Sequence, residues 1–301
     1  MELATDLMGI RLEHPLMNAA GTCKTLEDVR KLARSATAAI MVGSITKEPR
    51  PSNSGSVYWS EPGFSVNSLG LPNPGIDYYR DKFPEMEAVA REARKPLLAS
   101  VAGFSPEEYA YLADAAFEGA DAVELNLGCP NVWQGSKQKR IACFDPLLVA
   151  EILRCVEDRI GSDANISVKI SPFSDPFALA EVAEVIAKSE LVKAVTTSNT
   201  FPNGFAWNEL GKPRIDPGNG LAGMAGPALK PIALGQVRQL RALLPERIQI
   251  IGAGGINTGA EILEYRNAGA SAVQIATAYL ERGEEVFSQL LMQVVEAPVI
   301  Q

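Results

Sequence analysis

Eight short apolar runs, each followed by a segment of helical period, constrain this chain more than any other feature. They are "PLMNAAG" (15–21), "AAIMVGSI" (38–45), "PLLASVAG" (96–103), "AVELNLG" (122–128), "ISVKIS" (166–171), "AVTTSNT" (194–200), "IQIIGAGGI" (248–256) and "AVQIATAY" (272–279). Between them lie segments such as "TLEDVRKLARS", "SPEEYAYLADAAFEGA" and "DPFALAEVAEVIAKS", with apolar residues at helical spacing and charges on the other face. Near-continuous apolar strands need helices over one face and strand partners on both edges. The pattern predicts an α/β fold of the closed (β/α)8 TIM-barrel type. The opening "ATDLMGIRLEHP" alternates like a small N-terminal hairpin ahead of the barrel. A barrel of ~250 residues folds as one unit, so the 301 residues are expected to form a single domain over 1–301.

Composition narrows the partners. No run reaches the ~18 to 20 apolar residues of a membrane span, and the N-terminus lacks the basic start and apolar core of a secretory signal. A cytoplasmic protein is expected, with no membrane partner. A net charge of -8 without a basic cluster argues against nucleic acid, whose phosphates call for grouped Lys and Arg. A small-molecule substrate fits better. The four cysteines form no CxxC pair and His14 is the single histidine, so no metal site is expected.

Two connections are long for a compact domain, from Thr46 to about Pro84 and from Phe201 to about Pro231. Loops of that length are commonly functional, and both follow carboxyl ends of expected strands, the face that carries active sites in such barrels. Runs seven and eight end in "GAGGI" and "IATAY". Glycines let main-chain N–H groups approach an anion closely, which makes Gly254, Gly255, Ala276 and Thr277 the expected phosphate cradle. Asn18, Asn67, Asn126, Asn131 and Asn199 fall at strand ends or in the first long loop; amides that both donate and accept suit a heterocycle with alternating N–H and C=O groups. Lys169 lies inside an apolar strand, where a charge needs a partner or a function. Cys129, in "NLGCPNVWQG" (126–135), is either a small core residue or a thiol presented to whatever the flanking asparagines hold.

These residues carry a resemblance. "NSLGLPNPGIDYY" (67–79), "ELNLGCPNV" (124–132), "SVKIS" (167–171), "SNTFPNG" (198–204), "IIGAGGI" (250–256) and "QIATA" (274–278) resemble the dihydroorotate dehydrogenases of soluble class 1, and beyond them the FMN domain of dihydropyrimidine dehydrogenases. The resemblance implies oxidation of dihydroorotate to orotate, with Cys129 removing the C5 proton and FMN taking hydride from C6. It implies that Lys169 lies at the flavin edge and that Asn67, Asn126, Asn131, Asn199 and Thr200 hold the pyrimidine. Ala20, Gly21, Gly223, Gly254, Gly255, Ala276 and Thr277 would contact FMN. The segment "WQGSKQKRIACF" (133–144) matches the position of the family's lid, and Cys143 at its end reads as structural. A homodimer is expected, and a separate electron-transfer subunit or a soluble acceptor such as fumarate would complete the cycle.

One position departs from the resemblance. Where the family has a lysine at the end of the second strand, in contact with flavin and the substrate carboxylate, "MVGSITKEPR" has Gly43. Lys47, or Lys137, Lys139 and Arg140 of the lid, would supply the charge, or the substrate is a different cyclic amide without a carboxylate. Two further alternatives stay open: a lyase or aldolase barrel with Lys169 as Schiff-base nucleophile, and a flavin-binding barrel without catalysis.

Overall fold

The computed structural model describes residues 3–134 and 137–296. Eight parallel strands make one sheet: β1 (Leu16–Asn18), β2 (Ile40–Ile45), β3 (Leu97–Val101), β4 (Ala122–Asn126), β5 (Ile166–Ile170), β6 (Val192–Thr197), β7 (Gln249–Ala253) and β8 (Ala272–Ile275). Hydrogen-bonded neighbours run in chain order from β2 to β8, and β8 then pairs with β1. The seam between β1 and β2 is closed by a side chain. Asn18 Nδ2 donates to the Met41 carbonyl at 2.8 Å, and its Oδ1 accepts from the Met41 N–H at 2.9 Å. The amide thus copies a main-chain pair, and Asn18 belongs to the barrel wall rather than to a ligand.

The helices are α1 (Leu26–Arg34), α2 (Ile76–Glu92), α3 (Pro106–Ala116), α4 (Pro146–Ile160), α5 (Pro176–Lys188), α6 (Lys230–Leu243), α7 (Gly259–Ala268), α8 (Thr277–Arg282) and α9 (Glu285–Glu296). Their starts follow from local chemistry. Thr25 with Asp28 and Thr258 with Glu261 form capping boxes, while Ser105, Asp145 and Asp175 cap helices that open on proline. Helix α2 corrects the sequence reading, which lets the first long loop run to Pro84. Pro84 lies inside the helix. An interior proline costs ~3 kcal/mol, but Ile76, Tyr79, Phe83, Met86 and Ala90 on one face are buried, and large apolar side chains return ~1.5 to 3 kcal/mol each.

Strand alternation sorts the interior. Val123 and Leu125 pack outward with the helices, whereas Ala122 joins Met17, Met41, Leu98, Ala194, Ile251 and Ala272 in an apolar plug inside the barrel. The N-terminal hairpin, Thr5–Leu7 with Ile10–Leu12, adds Leu7, Met8 and Leu12 to that plug. One layer toward the carboxyl ends the interior turns polar, with Ser100, Glu124, Thr196 and Gln274 all buried.

The two long connections are structured and meet each other. Tyr58–Glu61 and Phe64–Asn67 form a hairpin around Pro62 and Gly63, and Ala222–Ala225 and Phe201–Gly204 extend it to a four-stranded antiparallel sheet. Gly223 pairs with Asn67 across the join. This cap carries side chains from both loops over the barrel mouth. Among the described residues no helix is long and apolar enough to cross a membrane.

Candidate active site

Two adjoining clefts lie between the strand ends and the cap. The first reaches the ends of β7 and β8, with Gly226, Gly254, Gly255, Ala276 and Thr277 on its wall. The second reaches the ends of β2 and β4, with Lys24, Ser44, Asn67, Asn126, Cys129 and Asn131. Ala20, Lys169, Asn199 and Thr200 line both, and Gly21 lines the second. Of the residues singled out in the sequence, Gly223 stands apart. A Cβ there would come 2.0 Å from Thr200 Oγ1 and 3.1 Å from Asn131 Nδ2, so Gly223 backs the amides, while Ala225 and Gly226 reach the first cleft.

The first cleft has glycines on part of its wall, beside Lys169, Thr200, Leu229 and Asn257. Gly254 and Gly255 have φ of +133° and +69°, values that favour glycine. A Cβ on Gly255 would lie 2.8 Å from the Lys230 nitrogen and 2.9 Å from the Gly226 oxygen. Two buried hydroxyl oxygens on the cleft walls, Ser198 Oγ and Thr200 Oγ1, have no hydrogen-bond partner. Buried polar groups are normally satisfied, so this end has capacity to bind a polar group.

The second cleft is walled by side chains in two linked pairs. Asn131 Nδ2 donates to Asn67 Oδ1 at 2.8 Å, and the Gly223 N–H donates to Asn131 Oδ1 at 3.0 Å. Asn199 Nδ2 donates to Asn126 Oδ1 at 3.1 Å, and Asn126 Nδ2 donates to Ser44 Oγ at 2.9 Å. Cys129 follows Gly128, where a Cβ would meet the Ser171 nitrogen at 2.7 Å; the glycine lets the chain turn against the end of β5. Burial pushes the Cys129 thiol up, while the Asn131 N–H and the charges of Lys139, Arg50 and Lys169 pull it down. Cys143 is buried, accepts from the Ser171 N–H at 3.3 Å, and has its thiol pushed up to about 12 by burial. It is structural, as expected.

The segment after Cys129 pairs Trp133–Gln134 with Lys137–Gln138; Gly135 and Ser136 lie outside the described residues. Trp133 Nε1 donates to Ser68 Oγ at 3.1 Å, tying this hairpin to the loop that follows the cap strand. Two of its three cations are engaged elsewhere: Lys139 Nζ donates to the Gly103 carbonyl at 3.0 Å, and Arg140 pairs with Asp145 at 3.0 Å, while Lys137 is exposed. Lys47 is exposed and lies over the Tyr111 ring at 5.8 Å, so the expectation that it replaces the lysine absent at Gly43 is corrected.

The residue that sequence reasoning missed is Lys24. It lines the second cleft, burial lowers its amine against the pull of Asp28, and no side-chain hydrogen bond or ion pair ties the ammonium among the described residues. Its neighbour Cys23 bridges to Gly43: the Gly43 N–H donates to the Cys23 carbonyl at 2.9 Å. A cation thus stands in the loop after β1, next to the residue that hydrogen-bonds to position 43. The sequence signal is "CKT" directly before a capping box, a lysine at a strand-to-helix turn on the carboxyl face.

Fold and site define an enzyme of the barrel type that works at the carboxyl ends of its strands. The chain belongs to the dihydroorotate dehydrogenase family, whose model, described as "Dihydroorotate dehydrogenase", matches residues 2–297. It is 35% identical to the "Dihydroorotate dehydrogenase B (NAD(+)), catalytic subunit" of Methanopyrus kandleri, over 92% of this chain and 85% of that one. It is also 35% identical to the "Dihydroorotate dehydrogenase (fumarate)" of Kluyveromyces lactis, over 98% and 93%. The ligand-free DHODH structure from Eimeria tenella shares the fold, with a TM-score of 0.84 at 19% identity, covering 98% of this chain and 87% of that one. The family is one of oxidoreductases acting on a CH–CH group, which sets aside the aldolase and the non-catalytic alternatives.

Proposed function

We propose that this chain oxidises dihydroorotate to orotate with FMN in the paired clefts. The observation that carries the reading is that the two clefts adjoin: Gly254 and Gly255 line the first, Cys129 and the amide pairs line the second, and Lys169, Asn199 and Thr200 line both. Gly254 and Gly255 at positive φ stand on the wall of the first cleft, and the Ser198 and Thr200 hydroxyls beside them have no partner, which fits a phosphate-bearing cofactor. FMN, when bound, accepts hydride from C6 of the substrate. Cys129, as thiolate, takes the C5 proton, and the C5–H and C6–H electron pairs become the new double bond and the hydride. The Asn67–Asn131 and Asn126–Asn199 pairs present donors and acceptors to the ring amides. Lys169, at the junction of both clefts, supplies positive charge where the cofactor gains negative charge. Lys24 takes the substrate carboxylate in place of the absent lysine at 43, so a carboxylated dihydropyrimidine remains the substrate.

The chain is read as a cytoplasmic homodimer reoxidised by a soluble acceptor, the kind named for the Kluyveromyces relative. Turnover with NAD only when a second chain is added would instead match the arrangement named for the Methanopyrus relative. The primary test is the visible spectrum after FMN reconstitution, followed by anaerobic addition of dihydroorotate. Flavin absorbance that bleaches is expected. Colourless protein, or yellow protein that stays oxidised, overturns the reading.

A further inference from the structure

Beneath the site lies a charged group that none of the roles above uses. Glu124, on β4, is buried, its side chain fully so. Its Oε2 accepts from Thr196 Oγ1 at 2.7 Å and from Gln274 Nε2 at 3.1 Å. Gln274 in turn accepts from Lys169 Nζ through its Oε1 at 3.0 Å. Oε1 of Glu124 has no hydrogen-bond partner and stands 3.9 Å from Lys169 Nζ. Among the described residues it is the one carboxylate within ion-pair distance of that ammonium.

Gln274 as a polar spacer could serve either charge alone; the presence of both in one closed interior says more. A buried ammonium without a counter-charge is costly, and a contact ion pair would turn the ammonium inward and spend its field on the carboxylate. The arrangement here does neither. The carboxylate balances the charge from one layer below, and the amide of Gln274 holds Lys169 away from contact. Strand pairing enforces the geometry, because β4, β5 and β6 are adjacent and Lys169 sits in register with Thr196.

We propose that Glu124 is the positioning residue of Lys169: its counter-charge, acting through Gln274, sets how much positive potential the lysine presents at the cofactor edge. The inference rests on the flavin reading for one of its two tests and is independent of it for the other. E124Q can keep both hydrogen bonds with its amide oxygen in the Oε2 place, while it removes the charge and puts an NH2 where Oε1 faces Lys169. In the FMN-loaded E124Q protein at pH 6 the site has one negative charge fewer. Reduced flavin should then bind about tenfold more tightly relative to oxidised flavin, a rise in midpoint potential of ~30 mV for the two-electron couple. In the apoprotein, acetylation of Lys169 by acetic anhydride at pH 8, followed by peptide mass spectrometry, should accelerate severalfold, because an uncompensated buried ammonium gives up its proton more readily. An unchanged or lower potential, or an unchanged labelling rate, overturns the proposal. Failure to bind FMN would refute the functional reading and leave the labelling test standing. If E124Q does not fold, E124D, which withdraws the charge by one methylene, should move both readouts in the same directions by less.

Discussion

The two ends of the cleft are built of different material. At the β7–β8 end part of the wall is main chain, at glycines that leave no space for a Cβ. At the β2–β4 end it is side chain, made of amides, a thiol and an ammonium. A wall of main chain is set by the fold and tolerates no addition. A wall of side chains can exchange its parts, and the one departure from the family pattern, Gly43 with Lys24, falls at that end.

The contrast can be broken most strongly at the thiol. Cys129→Ala should lower the rate of flavin reduction by dihydroorotate by ~10²-fold or more, the usual loss for a positioned acid-base group, with flavin content and orotate binding retained. Anaerobic stopped-flow reduction beside an orotate titration separates the two.

Next comes the Lys24 ammonium. Lys24→Ala should weaken orotate by ~10 to 100-fold, since a charge-assisted hydrogen bond is worth ~1.5 to 3 kcal/mol. Lys47→Ala, over Tyr111, should leave the titration unchanged. Gly43→Lys should not restore binding, because position 43 has φ +105° and a Cβ there would fall 2.3 Å from the Ser100 carbonyl oxygen. Equal orotate affinity in wild type and Lys24→Ala would return the choice to a substrate without a carboxylate.

At the main-chain end, Gly255→Ala should both release FMN and cost ~1 to 3 kcal/mol of stability, as overpacking does. The added carbon meets Lys230 and Gly226 before it meets any ligand. Thermal melts of the apoprotein would show the second effect without the first.

The smallest expected effect sharpens the electrostatics of the base. Burial raises the Cys129 thiol and the Lys139 charge opposes it. The thiolate is the active form, so the reduction rate climbs with pH toward the raised value. Lys139→Ala removes part of the opposing pull, moves the climb to higher pH and lowers the rate at neutral pH severalfold. A profile that stays in place would show that Lys139 does not act on the thiol.

What could be read in the sequence follows the same division. Strand count and order were legible because each strand carries its own apolar run and each helix its own cap, as Thr25 with Asp28 and Thr258 with Glu261. The turn at Gly254 and Gly255 was legible because two adjacent glycines follow an apolar run, and both take positive φ. Lys24 was not, since its meaning depends on Cys23 pairing with Gly43, a contact between strands. Glu124 reads as one acid in an apolar run until Gln274, 150 positions away, is placed beside it. The role of Asn18 inverts for the same reason: the sequence shows a strand-end amide, and only the seam with Met41 shows what it binds.

The cap has a consequence for how the protein comes into being. Its central join pairs Asn67 with Gly223, so the cap sheet is not complete until more than two thirds of the chain has left the ribosome. By then β1 to β6 exist, but β7 and β8, which hold the anion cradle, do not. The two ends of the cleft are therefore both finished in the last third of synthesis, the amide end before the β7–β8 end.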